Sequence, residues 1–256
     1  MGKYIQTETQ GHVLVITLDR QESRNAFNRA MADEMEAVID AYEADSRLRA
    51  AVVRALGPTF SAGQDLKEAA NGGRAATQRR GGFGIMAQPP AKPLIAAVEG
   101  EALAGGMELT LCCDLIVASR SSVFGLAEAR RGLVAIGGGC FRAPRRMPYH
   151  IAMEMILLGD AIPAAEMHRV GYVNRLVDPG QSLETALELA KKVAANGPLA
   201  VVASKSIAVR SQAEQWTDRE SWQKQMEVVA PVLASEDLKE GLRAFAEKRP
   251  AVWKGI

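Results

Sequence analysis

Three short stretches of the 256-residue chain carry side chains and turns able to do acid–base chemistry. In "AGGMELTLCCD" (104–114), Glu108 stands two residues after the pair Gly105-Gly106 and just ahead of an apolar run. In "VFGLAEARRGL" (123–133), Glu128 lies among small and apolar residues, with Arg130 and Arg131 close behind. In "FSAGQDL" (60–66), Gly63 allows a tight turn before Asp65, which can open a helix. Two carboxyls in reach of one water form an acid–base pair, and in a dry site they ionise at separate pH values. Backbone N–H groups at a helix start lack partners and can hold an anion or a developing oxyanion. Each stretch also has a plain structural reading. Glu108 could serve the helix dipole, worth about 0.3–1 kcal/mol. Glu128 could belong to a surface ion pair, worth little. Asp65 could be the first carboxylate of an ordinary strand-to-helix turn.

Strands running into helices would position these turns. "GHVLVITLDR" (11–20) reads as a buried strand, and "RAAVVRAL" (49–56), "PLIAAVEG" (93–100) and "LIVAS" (115–119) read likewise. A helix begins at Asn28, a good N-cap, with Met31, Met35, Val38, Ile39 and Tyr42 on one face. This alternation predicts an α/β fold. Residues 71–92, rich in Gly, Arg and Pro, read as a mobile loop with one helical turn, of the kind that covers a site. The last third turns helical. Ser182 and Pro198 look like helix starts with Gly197 between them, and "TDRE" (217–220) has capping-box spacing. Pro231 should break or kink its helix, and 235–250 places Leu238, Leu242 and Phe245 on one face before Pro250. The chain therefore divides into an α/β core (1–196) carrying the site and a helical region (197–256) suited to packing on another subunit.

Composition narrows the function. With 31 basic and 30 acidic side chains the formal net charge is +1, and no basic block offers a nucleic-acid footprint. A small polyanionic ligand needs only local charge. The three cysteines (Cys112, Cys113, Cys140) and three histidines (His12, His150, His168) show no metal-ligand spacing, so no metal is expected. All three cysteines read as packing residues, with Cys112 and Cys113 inside the helix begun by Glu108. The N-terminus lacks an apolar signal segment and no run of about 18 apolar residues exists, which predicts a cytoplasmic protein away from membranes. "GFGIMA" (82–87) matches a dinucleotide fingerprint, but no strand leads into it. "GGGC" (137–140) lacks the Lys-Ser/Thr of a phosphate loop, and no G-x-S-x-G is present.

Taken in order, "SRNAFN" (23–28), "FSAGQDL", "KPLIAAVEGEALAGGMELTLCCDLIVAS" (92–119), "FGLAEARRGL" (124–133) and "KEGLRAFAEKRPAVW" (239–253) resemble the crotonase family, the enoyl-CoA hydratases and isomerases. The resemblance runs along almost the whole chain. It implies a spiral of ββα units with a helical C-terminal region, assembled as a homotrimer or a dimer of trimers. It also implies an acyl-CoA substrate and no separate cofactor, coenzyme A being part of the substrate. Carried over by position, the N–H groups of Gln64 and Gly105 form an oxyanion hole, and Glu108 and Glu128 are the two catalytic glutamates of a hydratase. Arg24 falls near the CoA phosphates, and the backbone of Ala26 and Ala62 near its adenine end. Asp65, Leu66 and Lys67 line the same turn, while Phe245 and Lys254 contribute from the tail, across a subunit boundary if the chain assembles.

Retention of both glutamates favours hydration of a 2-enoyl-CoA, with Glu128 as proton donor to C2 and Glu108 as water activator. Departures from the family pattern leave other readings open. Ala104 and Ala127 stand where the family often has Gly and Pro, and the loop 132–144 lacks the usual Pro-Gly and carries Cys140 and Phe141. A carnitinyl-CoA-type dehydratase, an enoyl-CoA isomerase and a non-catalytic acyl-CoA-binding scaffold are the alternatives.

Overall fold

In the computed structural model, which describes residues 2–256, the chain opens with an antiparallel hairpin of β1 (Ile5–Gln10) and β2 (Val13–Leu18). β1 is not expected from the sequence, because its "IQTETQ" is largely exposed at the edge of a sheet and carries no apolar run. Helix α1 (Arg29–Ala44), capped by the Asn28 side chain on the Met31 N–H, brings the chain back to β3 (Ala50–Ala55), parallel to β2. A repeating unit then begins. β3 leads to β4 (Thr59–Ser61) and the short helix α2 (Leu66–Ala70). After a two-stranded ribbon, β5 (Ala76–Thr77) with β6 (Gly81–Gly82), the next unit runs β7 (Leu94–Val98), β8 (Glu101–Leu103) and α3 (Gly105–Thr110). The third runs β9 (Leu115–Ser119), β10 (Val123–Gly125) and a single 3₁₀ turn, Glu128–Arg131.

The first strand of each unit joins a six-stranded sheet, ordered β1-β2-β3-β7-β9 and ending on β12 (Arg175–Val177). The second strand of each joins a four-stranded sheet in which β4, β8 and β10 lie side by side and parallel, closed by an antiparallel β11 (Ile162–Pro163). Between them come α4 (Gly139–Arg146), α5 (Tyr149–Leu158) and α6 (Ala164–Arg169). This is the expected spiral of ββα units.

Alternation along the central strands builds two cores. Ala51 and Val53 of β3 join a cluster with Phe27, Phe60 and Phe124, whereas Ala50 and Val52 face the other way. That second face is covered by α7 (Ser182–Ala194), whose Ala186, Ala190 and Ala194 repeat every fourth residue and let the helix lie close to the sheet. α8 (Pro198–Ala213), α9 (Asp218–Leu233) and α10 (Glu236–Ala246) complete the chain. The capping box of Thr217 and Glu220 is formed, but Pro231 does not break α9, which runs two residues beyond it. On α10 the buried positions are Asp237, Glu240 and Ala244, and the apolar Leu242 and Phe245 point outward. No described helix is long and apolar enough to cross a membrane.

Two local expectations change. α3 starts at Gly105 and ends at Thr110, so Cys112 and Cys113 are buried in the turn beyond it rather than inside it, and Cys140 on α4 is exposed rather than packed. Residues 71–92 do contain one helical turn, where the Ile85 and Met86 N–H groups donate to the Gly82 carbonyl, but the segment is anchored rather than loose. They are held down by Arg80, which is 2 % exposed and donates to Asp40 at 2.8 Å, to the Gln88 carbonyl and to Glu43. Phe83 from the same segment stacks on Phe27, ring centroids 4.0 Å apart.

Candidate active site

Because β4, β8 and β10 lie side by side in one sheet, with β8 in the middle, the C-terminal end of β8 lies about 5 Å from each of the other two. The turns that follow them hold Gly63–Asp65, Ala104–Glu108 and Glu128. Three stretches separated along the chain thereby meet at one edge.

The first turn is tied by local bonds. Asn25, buried with φ 52°, donates to the carbonyls of Leu56 and Thr59, and Ser61 Oγ donates to the Asn25 carbonyl and accepts the Gly63 N–H. Gly63 has φ 98°, and a Cβ there would sit 3.0 Å from the Gly105 nitrogen, so only glycine lets the first two turns close on each other. Gln64 forms a parallel bridge with Phe27: the Phe27 N–H donates to Gly63 and the Asp65 N–H donates to Phe27. Parallel pairing uses the groups on either side of residue 64, so its own N–H faces away from Phe27. Among the described residues it has no acceptor.

The second turn opens α3. Gly106 packs against the Ser61 carbonyl and Gly105 against the Phe83 ring, both too closely for a side chain. Ala104 has φ 51° and ψ −123°, a conformation that glycine adopts freely and alanine holds only at a cost of about 1–3 kcal/mol. The Gly105 N–H, first in its helix, also has no acceptor among the described residues.

Glu108 follows at the buried end, 5 % exposed. Its Oε1 accepts the Gly139 N–H at 2.9 Å. Burial pushes its carboxyl above the usual range, while the Gly139 and Gly137 N–H groups and the Arg142 cation pull it back. Glu128 differs. Burial, then the nearby Glu108 charge, pushes its carboxyl up to about 7. Its Oε2 is buried without a hydrogen-bond partner. The ion-pair reading of Glu128 is overturned, since Arg130 pairs with Asp160 and Arg131 donates to the Ala127 carbonyl. Glu108 ionises first and meets a neutral neighbour, whereas Glu128 must lose its proton beside a charge. The two carboxyls thus lose their protons in separate steps, Glu128 the later.

The remaining expected residues flank this edge or lie elsewhere. Arg24 (φ 53°) caps a 3₁₀ turn and pairs with Glu101, its side chain 57 % exposed. The Ala62 N–H donates to the Arg24 carbonyl and the Ala26 N–H to Ser23, and the Ala26 carbonyl accepts Arg20 Nη1 at 2.8 Å, so both N–H groups are already engaged. The Asp65 carboxylate is already engaged: it caps α2 on the Lys67 and Glu68 N–H groups and accepts Arg20 at 2.8 Å. Burial works against its charge, and the Arg20 guanidinium and these N–H groups outweigh that and hold it below the usual range. Leu66 and Lys67 are exposed beside it. Phe245 and Lys254 are exposed on α10 and the tail, and no hydrogen bond or ion pair connects them to the glutamates.

The sequence reading missed the 137–139 backbone as the partner of Glu108. Its signal was the run Gly137-Gly138-Gly139, where a Cβ at 137 would strike the Glu108 carboxylate. Among the described residues, no group of three His, Cys, Asp or Glu is placed to hold a metal. Two clefts elsewhere, of about 270 and 490 Å³, include neither glutamate.

Known proteins resemble this chain over its whole length. Residues 8–256 match the family model described as enoyl-CoA hydratase/isomerase. An enoyl-CoA hydratase, EchA19 of Mycobacterium tuberculosis (strain ATCC 25618 / H37Rv), is 38 % identical over 251 residues, covering 94 % of this chain and 93 % of its own. A carnitinyl-CoA dehydratase of Proteus mirabilis (strain HI4320) is 39 % identical over 263 residues, covering all of both chains. The crystal structure of enoyl-CoA hydratase EchA1 from Mycobacterium marinum superimposes with a TM-score of 0.95 at 46 % identity, over 98 % of this chain and 99 % of that one.

Proposed function

The chain belongs to the enoyl-CoA hydratase/isomerase family and is a hydro-lyase of it, and we propose that it adds water reversibly across the 2,3 double bond of a 2-enoyl-CoA at the edge formed by β4, β8 and β10. The observation that carries this reading is the contrast between the two carboxyls: Glu108 held by backbone donors, and Glu128 pushed up to about 7 with one oxygen unpartnered. The thioester carbonyl accepts from the free N–H groups of Gln64 and Gly105. Glu108 takes a proton from water as the water oxygen bonds to C3. The π electrons move toward the thioester oxygen, and the two donors stabilise the enolate, each worth about 10²–10³ in rate. Glu128 then delivers its proton to C2, a step to which a positioned acid contributes about 10²–10⁴-fold. Proton return from Glu108 to Glu128 resets the pair.

Coenzyme A lies along the turn at Arg24, Ala26 and Ala62, continuing past Leu66 and Lys67, with Asp65 holding that turn in shape. Phe245 and Lys254 complete the site from a neighbouring subunit of a homotrimer or dimer of trimers. Supporting this, the outward Leu242 (66 % exposed) and Phe245 (87 %) leave an apolar face on α10. The reaction needs no metal or separate cofactor, and the paired, unbridged thiols Cys112 and Cys113 suit a reducing cytoplasm.

Incubation with crotonyl-CoA should bleach the conjugated thioester absorbance. No turnover with short, long and branched 2-enoyl-CoAs refutes hydration. Carnitinyl-CoA dehydration is the second reading, prompted by the Proteus relative. A direct rate comparison between carnitinyl-CoA and simple 3-hydroxyacyl-CoAs decides between them. Loss of turnover in Glu108→Gln and Glu128→Gln with acyl-CoA affinity preserved eliminates a non-catalytic scaffold.

A further inference from the structure

Arg142 has no part in the steps above, yet it meets three of the segments that surround Glu108. It projects from α4 and is half-buried. Nη2 donates to the Met86 carbonyl at 2.7 Å, which anchors α4 to the segment carrying Phe83. Nη1 donates to the Gly137 carbonyl at 3.4 Å, and to Cys112 Sγ at 3.4 Å. The Cys112 thiol in turn donates to the Glu108 carbonyl at 3.3 Å. Gly138 has φ 116°, and a Cβ there would sit 2.7 Å from Nη1, so the bare backbone is what allows the guanidinium to lie against this turn. The same turn supplies the Gly139 N–H to Glu108 Oε1.

We propose that Arg142 is the positioning residue for Glu108: its planar fork fixes the 137–139 turn whose N–H groups hold the carboxylate, and its charge faces that carboxylate from α4. The inference rests on Glu108 being the water activator of the hydration reaction. Few charges face Glu108. Glu128 approaches from the 3₁₀ turn, Arg142 from α4, and the Gly137 and Gly139 N–H groups from the turn between them. Cys112, beyond the end of Glu108's own helix, is neutral because burial pushes its thiol up to about 11. Arg142 is therefore the cation that favours the ionised form of Glu108. Lysine would keep the charge without the fork, and glutamine would lose both.

The test uses full-length Arg142→Lys and Arg142→Gln with crotonyl-CoA. In both, kcat should fall about 10- to 100-fold with KM little changed, as expected when a reacting group is misplaced. Only Arg142→Gln should move the acid limb of the kcat/KM profile, upward by about one pH unit. A readout independent of turnover is the Gly139 amide signal of ¹⁵N-glycine-labelled protein, which follows Glu108 ionisation through their hydrogen bond. Its midpoint should rise in Arg142→Gln and hold in Arg142→Lys. If the wild type hydrates nothing, the hydration reading fails while the amide titration still judges Arg142. Wild-type kcat in folded Arg142→Lys, or an unmoved Gly139 midpoint in Arg142→Gln, overturns the proposal. If Arg142→Gln does not fold, Arg142→Lys decides alone: reduced kcat at unchanged KM supports the fork, and wild-type kcat refutes it.

Discussion

Glu108 and Glu128 should share one proton across the working pH range, and the rate should report it. On the proposed roles, hydration needs Glu108 ionised and Glu128 protonated. Dehydration needs the reverse arrangement of the same single proton. The overall reaction neither releases nor takes up a proton, so kcat/KM should be bell-shaped in both directions, with the same two limbs. The upper limb belongs mainly to Glu128, held at about 7 first by burial and then by the Glu108 charge. Above it the rate should drop about tenfold per pH unit. The lower limb reflects Glu108, whose rise by burial is opposed by the Gly139 and Gly137 N–H groups and Arg142. In Glu128→Gln the acid is gone, and kcat should fall about 10²–10⁴-fold, on the order of 3–5 kcal/mol of barrier, with the upper limb abolished. In Glu108→Gln the charge beside Glu128 is removed. A ¹³C-carboxyl titration should then place Glu128 below 7, but above an ordinary glutamate because burial persists. Initial rates with crotonyl-CoA and with 3-hydroxybutyryl-CoA across the pH range supply the two profiles. Profiles that slope in opposite senses for the two directions, or an upper limb that survives in Glu128→Gln, would refute the shared-proton reasoning.

Other consequences can be measured separately. A carboxyl raised from 4.5 to about 7 in the fold binds its proton more tightly when folded, so its stabilising effect is full at low pH and lost as pH rises through 7; Glu128→Gln should therefore raise the melting temperature at pH above 7 and leave it nearly unchanged near pH 4, and an equal effect at both would contradict the shift. Gly105→Ala would drive a Cβ into Phe83, whose ring is stacked on Phe27 and has nowhere to swing, so the α3 start should move and kcat/KM should fall about 10²–10³-fold, while wild-type kinetics would show that the Gly105 N–H is not a donor to the substrate. Arg80→Ala removes the buried cation from Asp40 and Glu43, which remain partly in water, and should cost about 2–3 kcal/mol in urea unfolding, with faster proteolysis within 71–92; an unchanged midpoint would mean the segment is held by its apolar contacts alone.

Much of this was legible in the sequence because the signals are local. The Asn28 cap, the Thr217–Glu220 box and the β-branched runs each act within a few residues, and each appears where expected. The order of "FSAGQDL", the long central stretch and "FGLAEARRGL" was enough to identify the family. The tertiary structure decided what depends on distance across the chain. Gln64, Gly105 and Glu128 become neighbours only because β4, β8 and β10 align in one sheet. The segment 71–92 looked loose, since its anchor is an arginine pairing with acids 37 and 40 residues away. Arg130 stands two residues from Glu128 but finds Asp160, 30 residues on. A carboxyl's proton affinity depends on how much water and charge surround it, and neither can be read from its place in the chain. The sequence alone determined which carboxyls to watch, and folding decided that burial raises both and that Glu128, beside the Glu108 charge, keeps its proton to about pH 7.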